Sequence, residues 1–503
     1  MLQISLTTVN SRRSPEALLF ISHLTLYNLN MASLDSALIN QMPLPFVVQT
    51  EEAMDAAYPE KLRLLLQGDL DFRGKNGAYA THQFHAFPAK FPPQLPALFI
   101  EQLTQPGDVV LDPMSGSGTT LVEAALAQRV GVGCDIDPLA LMIAKVKTTP
   151  LDPMVVGKTS YRVMEKARLL ADSASEDLWR IKSAWTTKTR DFINYWFMPQ
   201  TQLELLALSH AIEQLTDGDL NRFFRLVFSS IIITKSGGVS LARDLAHTRP
   251  HRAKVIYNAS GQVLEGEKFV QNKNPRLAHI SKTLSSPLKE FDRRLNKMMD
   301  GVRQLARQKN ITTILIQSDA QSLPLAANSI DMIATSPPYA SNAIDYMRAH
   351  KFSLVWFGYP IETLGQVRRK YVGGESVSDM QYESLPQFPT RIVQEVSQLD
   401  ARKGVVLHRY YSEMKRALRE MHRVLKPGKA AILVVGSSVM RGRDTETGQC
   451  LADIGESLGF TLSHIGVRYI DRDKRMMPAG AKVNLDSQIQ RRMHREFVIG
   501  FLK

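Results

Sequence analysis

The chain has 503 residues, long enough for two domains and ample core, with 62 Lys and Arg against 49 Asp and Glu and a formal charge of +13. A balance this basic favours an acidic polymer as partner. Two cysteines, Cys134 and Cys450, exclude a disulfide framework and fit a reducing cytoplasm; no Cys/His spacing suggests zinc or another metal, and no run of about 20 apolar residues offers a membrane span.

Residues 1–45 are expected to form a poorly structured tail. Residues 17–30 are moderately apolar after Arg12 and Arg13 and imitate a secretion signal, but His23 and Asn28 break the run and no cleavage site follows. Met31 or Met42 is a candidate for the natural start.

Residues 108–111 read as a strand. They lead into Leu111-Asp112-Pro113-Met114-Ser115-Gly116-Ser117-Gly118-Thr119-Thr120 and then into good helix formers at 121–127. In such a strand–turn–helix unit, Gly116 and Gly118 let the backbone approach a ligand, and the helix N-terminus carries partial positive charge. Two glycines fall short of the three-glycine dinucleotide fingerprint, which disfavours a nicotinamide cofactor. A second strand, 130–134, ends in Asp135-Ile136-Asp137-Pro138. An acid at that tip is placed to accept hydrogen bonds from ribose hydroxyls; the competing reading of Asp135 is a solvated loop acid or a helix N-cap.

The next strand should follow after one helix. Instead about 175 residues intervene before the strand near Ile314, far beyond an ordinary connection. Within this insert, 202–208 and 223–232 are long apolar helical runs, the second reading as core. Residues 287–305 are amphipathic, with Leu288, Phe291, Leu295, Met298, Met299 and Val302 at helical spacing. Residues 234–274 are polar and contain glycine, and are expected to be a loop. Residues 221–310 hold 18 Lys and Arg against 6 Asp and Glu, with the sharpest cluster at Arg243, His247, Arg249, His251, Arg252 and Lys254. Such a concentration is the footprint of phosphate binding, against the alternative of a solvated charged face.

The strand 312–316 leads to Ser318-Asp319, where Asp319 either accepts from an adenine amino group or caps a turn. A buried strand at 330–334 precedes Ser336-Pro337-Pro338-Tyr339. Two prolines fix φ and remove two donors, so the chain leaves the sheet in an extended turn with outward carbonyls beside an aromatic ring. Acceptors for N–H protons next to a stacking face suit chemistry on the exocyclic amine of a flat base. Residues 358–410 are a second candidate for target recognition and include Gly373-Gly374-Glu375-Ser376, expected to be a mobile loop. A helix at 411–425, a strand at 430–435, a helix at 449–458 and a hairpin of 461–470 with 495–502 complete an α/β sheet covered on both faces. Arg468, Arg472, Lys474, Arg475, Arg491, Arg492 and His494 crowd the hairpin's loop.

The run Asp112–Thr120, the Ser336–Tyr339 tetrad, the segment His85-Ala86-Phe87-Pro88-Ala89-Lys90-Phe91-Pro92-Pro93 and the stretch 342–351 together resemble the amino-group DNA methyltransferases, which methylate cytosine N4 or adenine N6 using S-adenosylmethionine. The resemblance does not cover 150–310 with any specificity. It implies an S-adenosylmethionine-dependent methyltransferase (Rossmann-like) sheet with a mainly helical insert. The cofactor would be held by Phe87, Lys90, Phe91, Asp112, Pro113, Ser115, Gly116, Gly118, Thr119, Thr120, Asp135 and Asp319. A base flipped from double-stranded DNA would stack on Tyr339, its amine donating to Ser336 and to the Pro337 carbonyl, with Pro338 shaping the turn. Neither cysteine lies in a Pro-Cys turn, so C5 methylation through a thiolate is not expected. Serine at the first tetrad position leans to cytosine N4 in the family, where Asp or Asn leans to adenine N6.

The division expected is a tail (1–45), a first methyltransferase part (46–149), a basic insert for DNA and target recognition (150–310) and a second methyltransferase part (311–503). Arg243, Arg249, Arg252 and Lys254 are the expected DNA contacts. A cytoplasmic enzyme in a restriction–modification system, with a cognate restriction endonuclease as functional partner, fits these features. The other readings are an adenine-N6 enzyme, an RNA base-amine methyltransferase, a protein glutamine methyltransferase, and a DNA-binding protein with a vestigial methylase domain.

Overall fold

The computed structural model describes residues 57–503 except 89, 174–175, 235–237, 244, 246–249, 273–276, 309, 341–344, 375–380, 437 and 471–494. Its centre is a sheet of seven strands, here numbered along the chain: β1 (Val109–Asp112), β2 (Val130–Asp135), β3 (Thr312–Gln317), β4 (Ile330–Thr335), β5 (Leu425–Gly436), β6 (Thr461–Tyr469) and β7 (Arg495–Leu502). Their order across the sheet is β6-β7-β5-β4-β1-β2-β3. The five from β5 to β3 run parallel, while β7 is antiparallel to β5 and β6 antiparallel to β7. β4 is buried along its whole length, as a central strand covered on both faces must be.

Two cores flank the sheet. One joins Leu139, Ile143 and Val146 of helix Pro138–Lys147 to Phe84, Phe87 and the helices of the insert. The other packs Leu111, Ile333 and Leu433 beneath Tyr410, Tyr411 and Met414 of helix Ala401–Val424 and Leu451 of helix Thr447–Glu456. The insert contributes helices Pro153–Ser173, Glu176–Ser183, Thr187–Trp196, Pro199–Glu213, Gly218–Ile232 and Pro287–Ala306. Phe223, Phe224, Val227, Phe228 and Ile231 all lie in the first core, so that apolar run is packed against Phe352 and Trp356 rather than presented to a partner.

Two expectations change. The stretch expected to be a loop at 234–274 contains strands Val255–Tyr257 and Val263–Glu265 and helix Glu267–Gln271, and Val255–Tyr257 also pairs in parallel with Ser281–Thr283. Three-residue strands leave no periodicity to read, and one partner comes from beyond the segment. The helix expected at 411–425 begins at Ala401, where the Asp400 carboxylate accepts from the Lys403 N–H at 3.1 Å as an N-cap. No helix among the described residues is long and apolar enough to cross a membrane.

Helix Thr119–Leu126 starts from Gly118 at φ +72°, and a Cβ there would lie 2.8 Å from the Ala144 Cβ of helix Pro138–Lys147. Gly118→Ala should therefore cost roughly 2–4 kcal/mol, through left-handed strain plus overpacking, in urea unfolding monitored by circular dichroism.

Candidate active site and cofactor pocket

β1 and β4 are neighbours, yet the chain leaves them in opposite directions, β1 toward β2 and β4 toward β5. In open α/β sheets such a switch point opens a crevice at the strands' carboxyl ends. Two loops rise there, after Asp112 and after Thr335, and they are tied together. The Thr335 hydroxyl donates to Asp112 Oδ1 at 2.6 Å, the Met114 N–H donates to the same oxygen at 3.2 Å, and the Thr120 hydroxyl donates to the Ala334 carbonyl at 3.1 Å. Burial pushes the Asp112 carboxyl up to about 6. The glycine loop is also held from within and below: Ser115 N–H donates to the Cys134 carbonyl at 2.9 Å, and the buried Lys147 Nζ donates to the Ser117 carbonyl at 2.7 Å.

A cavity of about 650 Å³ opens above both loops. Phe87, Lys90, Phe91, Asp112, Pro113, Ser115, Gly116, Thr119, Asp135 and Asp319 line it, and so do Ser336, Pro337, Pro338 and Tyr339. Gly118 and Thr120 are not on its wall. Gly118 is needed for helix packing and Thr120 for the bond to β4, so both position the loop rather than meet a ligand.

The two acids of Asp135-Ile136-Asp137 have different fates. Asp135 accepts from the Gly116 N–H at 2.8 Å and the Asp137 N–H at 2.9 Å and faces the cavity. Burial, then the neighbouring Asp137 charge, push it up to about 7. Asp137 takes the N-cap role, accepting from Leu139 N–H at 2.8 Å, and also receives His350 Nδ1 at 2.6 Å and the Tyr371 hydroxyl at 2.5 Å. Burial works to raise Asp137, but the His350 and Tyr371 contacts outweigh it and hold the carboxyl below the usual range. Asp319 combines both readings, lining the cavity while accepting from the Gln321 N–H at 2.9 Å.

At the tetrad, the Ser336 hydroxyl donates to the Val434 carbonyl at 3.0 Å. With its proton committed there, the oxygen faces the cavity as an acceptor. The Tyr339 hydroxyl donates to Glu496 Oε1 at 2.7 Å, and Glu496 is also bridged by Arg468, its cross-strand partner in the closing hairpin. Burial first, then the Glu496 charge, push the Tyr339 hydroxyl far above its ordinary value, so it stays a donor. Glu496 and Tyr371 escaped the sequence reading because they belong to no short pattern; Tyr346 and His350 fell in the stretch 342–351 with no role assigned, and Arg468, read as a cation of the hairpin's loop, pairs with Glu496. Tyr346 stacks on Phe87 with ring centroids 4.8 Å apart.

The expected DNA contacts lie elsewhere. Arg252 commits its fork to Glu265 at 2.7 and 2.8 Å and its Nε to the Tyr195 carbonyl, so this expected phosphate ligand is occupied internally. Arg243 is half-buried, and Lys254 is exposed with its ammonium 5.9 Å from the Phe269 ring centroid. None of the three lines the cavity, and Arg249 falls outside the described residues. Among the described residues no cluster of His, Cys, Asp and Glu could hold a metal ion.

A family profile for N6/N4 DNA methylases matches residues 69–146, which contain the glycine loop and Asp135. Across 82% of this chain and 88% of its own length, the type II methyltransferase M.MvaI of Kocuria varians is 24% identical. The chain is similar to the amino-group DNA methylases. M.BsoBI of Geobacillus stearothermophilus, also a type II methyltransferase, is 22% identical to this methylase over 69% of the chain and 66% of its own length. M.MjaII of Methanocaldococcus jannaschii, a third type II methyltransferase, is 32% identical over 24% of the chain and 23% of its own length.

The cofactor of this methylase is S-adenosylmethionine, and the pocket fits it. Gly116 has φ +47°, and a Cβ on it would stand 3.3 Å from the Phe87 ring, narrowing the cradle. The Ser115 hydroxyl is buried at the cavity wall without a hydrogen-bond partner among the described residues. Asp135 and Asp319 offer acceptors for hydroxyl and amino donors.

Two predictions follow from these contacts. A ribose donor favours the ionised Asp135, so cofactor affinity by titration calorimetry should rise with pH through about 7 and fall below it. In Asp135→Asn that component should vanish. Tyr339→Phe keeps the ring but frees it from Glu496, and should lower single-turnover methylation by about tenfold with cofactor affinity unchanged.

Proposed function

We propose that this methylase transfers a methyl group to the exocyclic N4 of cytosine in duplex DNA, after flipping the base into the cavity, as the modification half of a restriction–modification system. Bound S-adenosylmethionine supplies the electrophilic methyl group. The rest is positioning by the chain. Asp135 would hold the ribose hydroxyls and Asp319 the adenine amino group, with Phe87 and Phe91 closing over the remainder. Tyr339, steadied by Glu496, would give the flipped base a face to stack on.

A ring-conjugated amine is a weak nucleophile. Two acceptors, Ser336 Oγ and the Pro337 carbonyl, would draw its two N–H bonds toward the loop and turn the lone pair toward the methyl group. Holding that alignment supplies much of the acceleration. No thiolate is at hand for attack on a ring carbon: burial pushes Cys134 up to about 11 and Cys450 up to about 12.

The observation that carries the reading is one cavity holding the Asp135 cradle and the tied Ser336–Tyr339 turn together. Support for cytosine comes from serine at the first tetrad position. Support for a restriction–modification role comes from the relatives named as type II methyltransferases. Such a protein would work in the cytoplasm beside a cognate endonuclease.

Adenine N6 is the second reading, and one contact favours it. With its proton on Val434, Ser336 offers only acceptance, as an aspartate would.

The test is mass spectrometry of nucleosides from plasmid DNA incubated with protein and S-adenosylmethionine, beside Tyr339→Ala. The expected result is N4-methylcytosine in the wild-type sample alone. N6-methyladenine would keep the mechanism and replace the base. Unmodified DNA despite bound cofactor would move the substrate to RNA.

A further inference from the structure

Beyond Tyr339 the cavity has a second wall, built by residues 345–374 and helix Ala401–Val424. It carries Arg348, Arg368, Arg369, Lys370, Lys403 and Arg409, against one lining acid, Asp345. The glycine-loop side of the same cavity is acidic, with Asp112, Asp135, Asp137 and Asp319. The two sides therefore suit different ligands.

The basic wall is built from beneath. Arg409 is 2% exposed and donates to Glu413 at 2.9 Å, and its Nη2 lies 3.4 Å from the carbonyls of Arg369 and Tyr371. Glu413 also accepts from the Gly373 N–H at 2.7 Å. This buried pair fixes the backbone from 369 to 373. Asp345 receives both Arg348 and Arg368 at 2.6 Å. Arg369 and Lys370 remain exposed at the cavity's rim, their side chains making no hydrogen bond or ion pair among the described residues. The end of helix Ile361–Arg369 explains a basic residue or two through its dipole. Three consecutive cations at the rim of a cavity exceed that need.

We propose that this rim is a phosphate clamp, in which Arg369 and Lys370 bind the DNA backbone phosphates flanking the flipped nucleotide. The proposal rests on the base-flipping reading. A flipped base stays joined to its sugar and two phosphates, so a base lodged at Ser336 leaves those phosphates at the mouth. A guanidinium fork and an ammonium point charge are the usual phosphate ligands. The insert's Arg252, engaged with Glu265 and away from the cavity, does not fill this place.

The experiment measures binding of full-length protein to a fluorescent duplex by anisotropy over a salt series. One duplex carries the sequence the wild-type enzyme methylates, and the other is scrambled. The Arg369→Gln/Lys370→Gln pair should lower the slope of log K against log salt by about two on the methylated sequence and by less on the scrambled duplex, where no base is flipped, with cofactor affinity unchanged. The charge-keeping pair Arg369→Lys/Lys370→Arg should retain the slope. An unaltered slope in the glutamine pair on the methylated sequence overturns the clamp, as does an equal loss of slope on both duplexes, which would mean phosphate binding independent of the flipped nucleotide. A wild-type protein that binds neither duplex sinks the base-flipping reading itself.

Discussion

The hydrogen bond from Thr335 to Asp112 joins the ends of two neighbouring strands that the chain reaches 223 residues apart. Everything the site does depends on that junction. β1 delivers the glycine loop and β4 delivers the tetrad, and the adjacent carboxyl ends bring the two loops to one crevice. Thr120 adds a second tie from the loop's helix to the backbone of β4. A carboxylate buried this deeply is costly to ionise, and its hydroxyl and backbone donors are what offset the cost.

The same logic of paired buried groups recurs around the cavity. Asp137, His350 and Tyr371 join the second strand's tip to two segments beyond the tetrad. Glu496 and Arg468 bring the closing hairpin under Tyr339. Arg409 and Glu413 support the basic rim. Each pair draws its members from separate elements or holds a loop from a helix, so the cavity walls are set by polar contacts as well as by the two apolar cores. Leaving one partner of such a pair alone in a low-dielectric interior is expensive, which makes these contacts stiff.

The insert carries the described residues of its basic cluster away from the cavity. Its excess of cations is plain in the sequence, yet the contact that could be followed, Arg252 to Glu265, stabilises a small sheet internal to the insert. Opposite charge within reach is satisfied before a ligand arrives. The cations at 368–370, fewer and less conspicuous in a linear reading, are among those that border the cavity.

Local order did much to determine the chain's strands, its glycine loop and its tetrad, because strand hydrophobicity, glycine and proline act on their own neighbourhood. The Asp135-Ile136-Asp137 pair was legible as a site but not by role: only folding put Gly116 against the first acid and His350 against the second. Gly118 and Thr120 looked like ligand contacts because they share a loop with residues that line the pocket, and packing against Ala144 and β4 gave them other work. Glu496 had no pattern to announce it. Short-range propensity is written in adjacent residues; which side chains then meet depends on strand order and crossover, and those are settled only when distant segments compete for the same buried space.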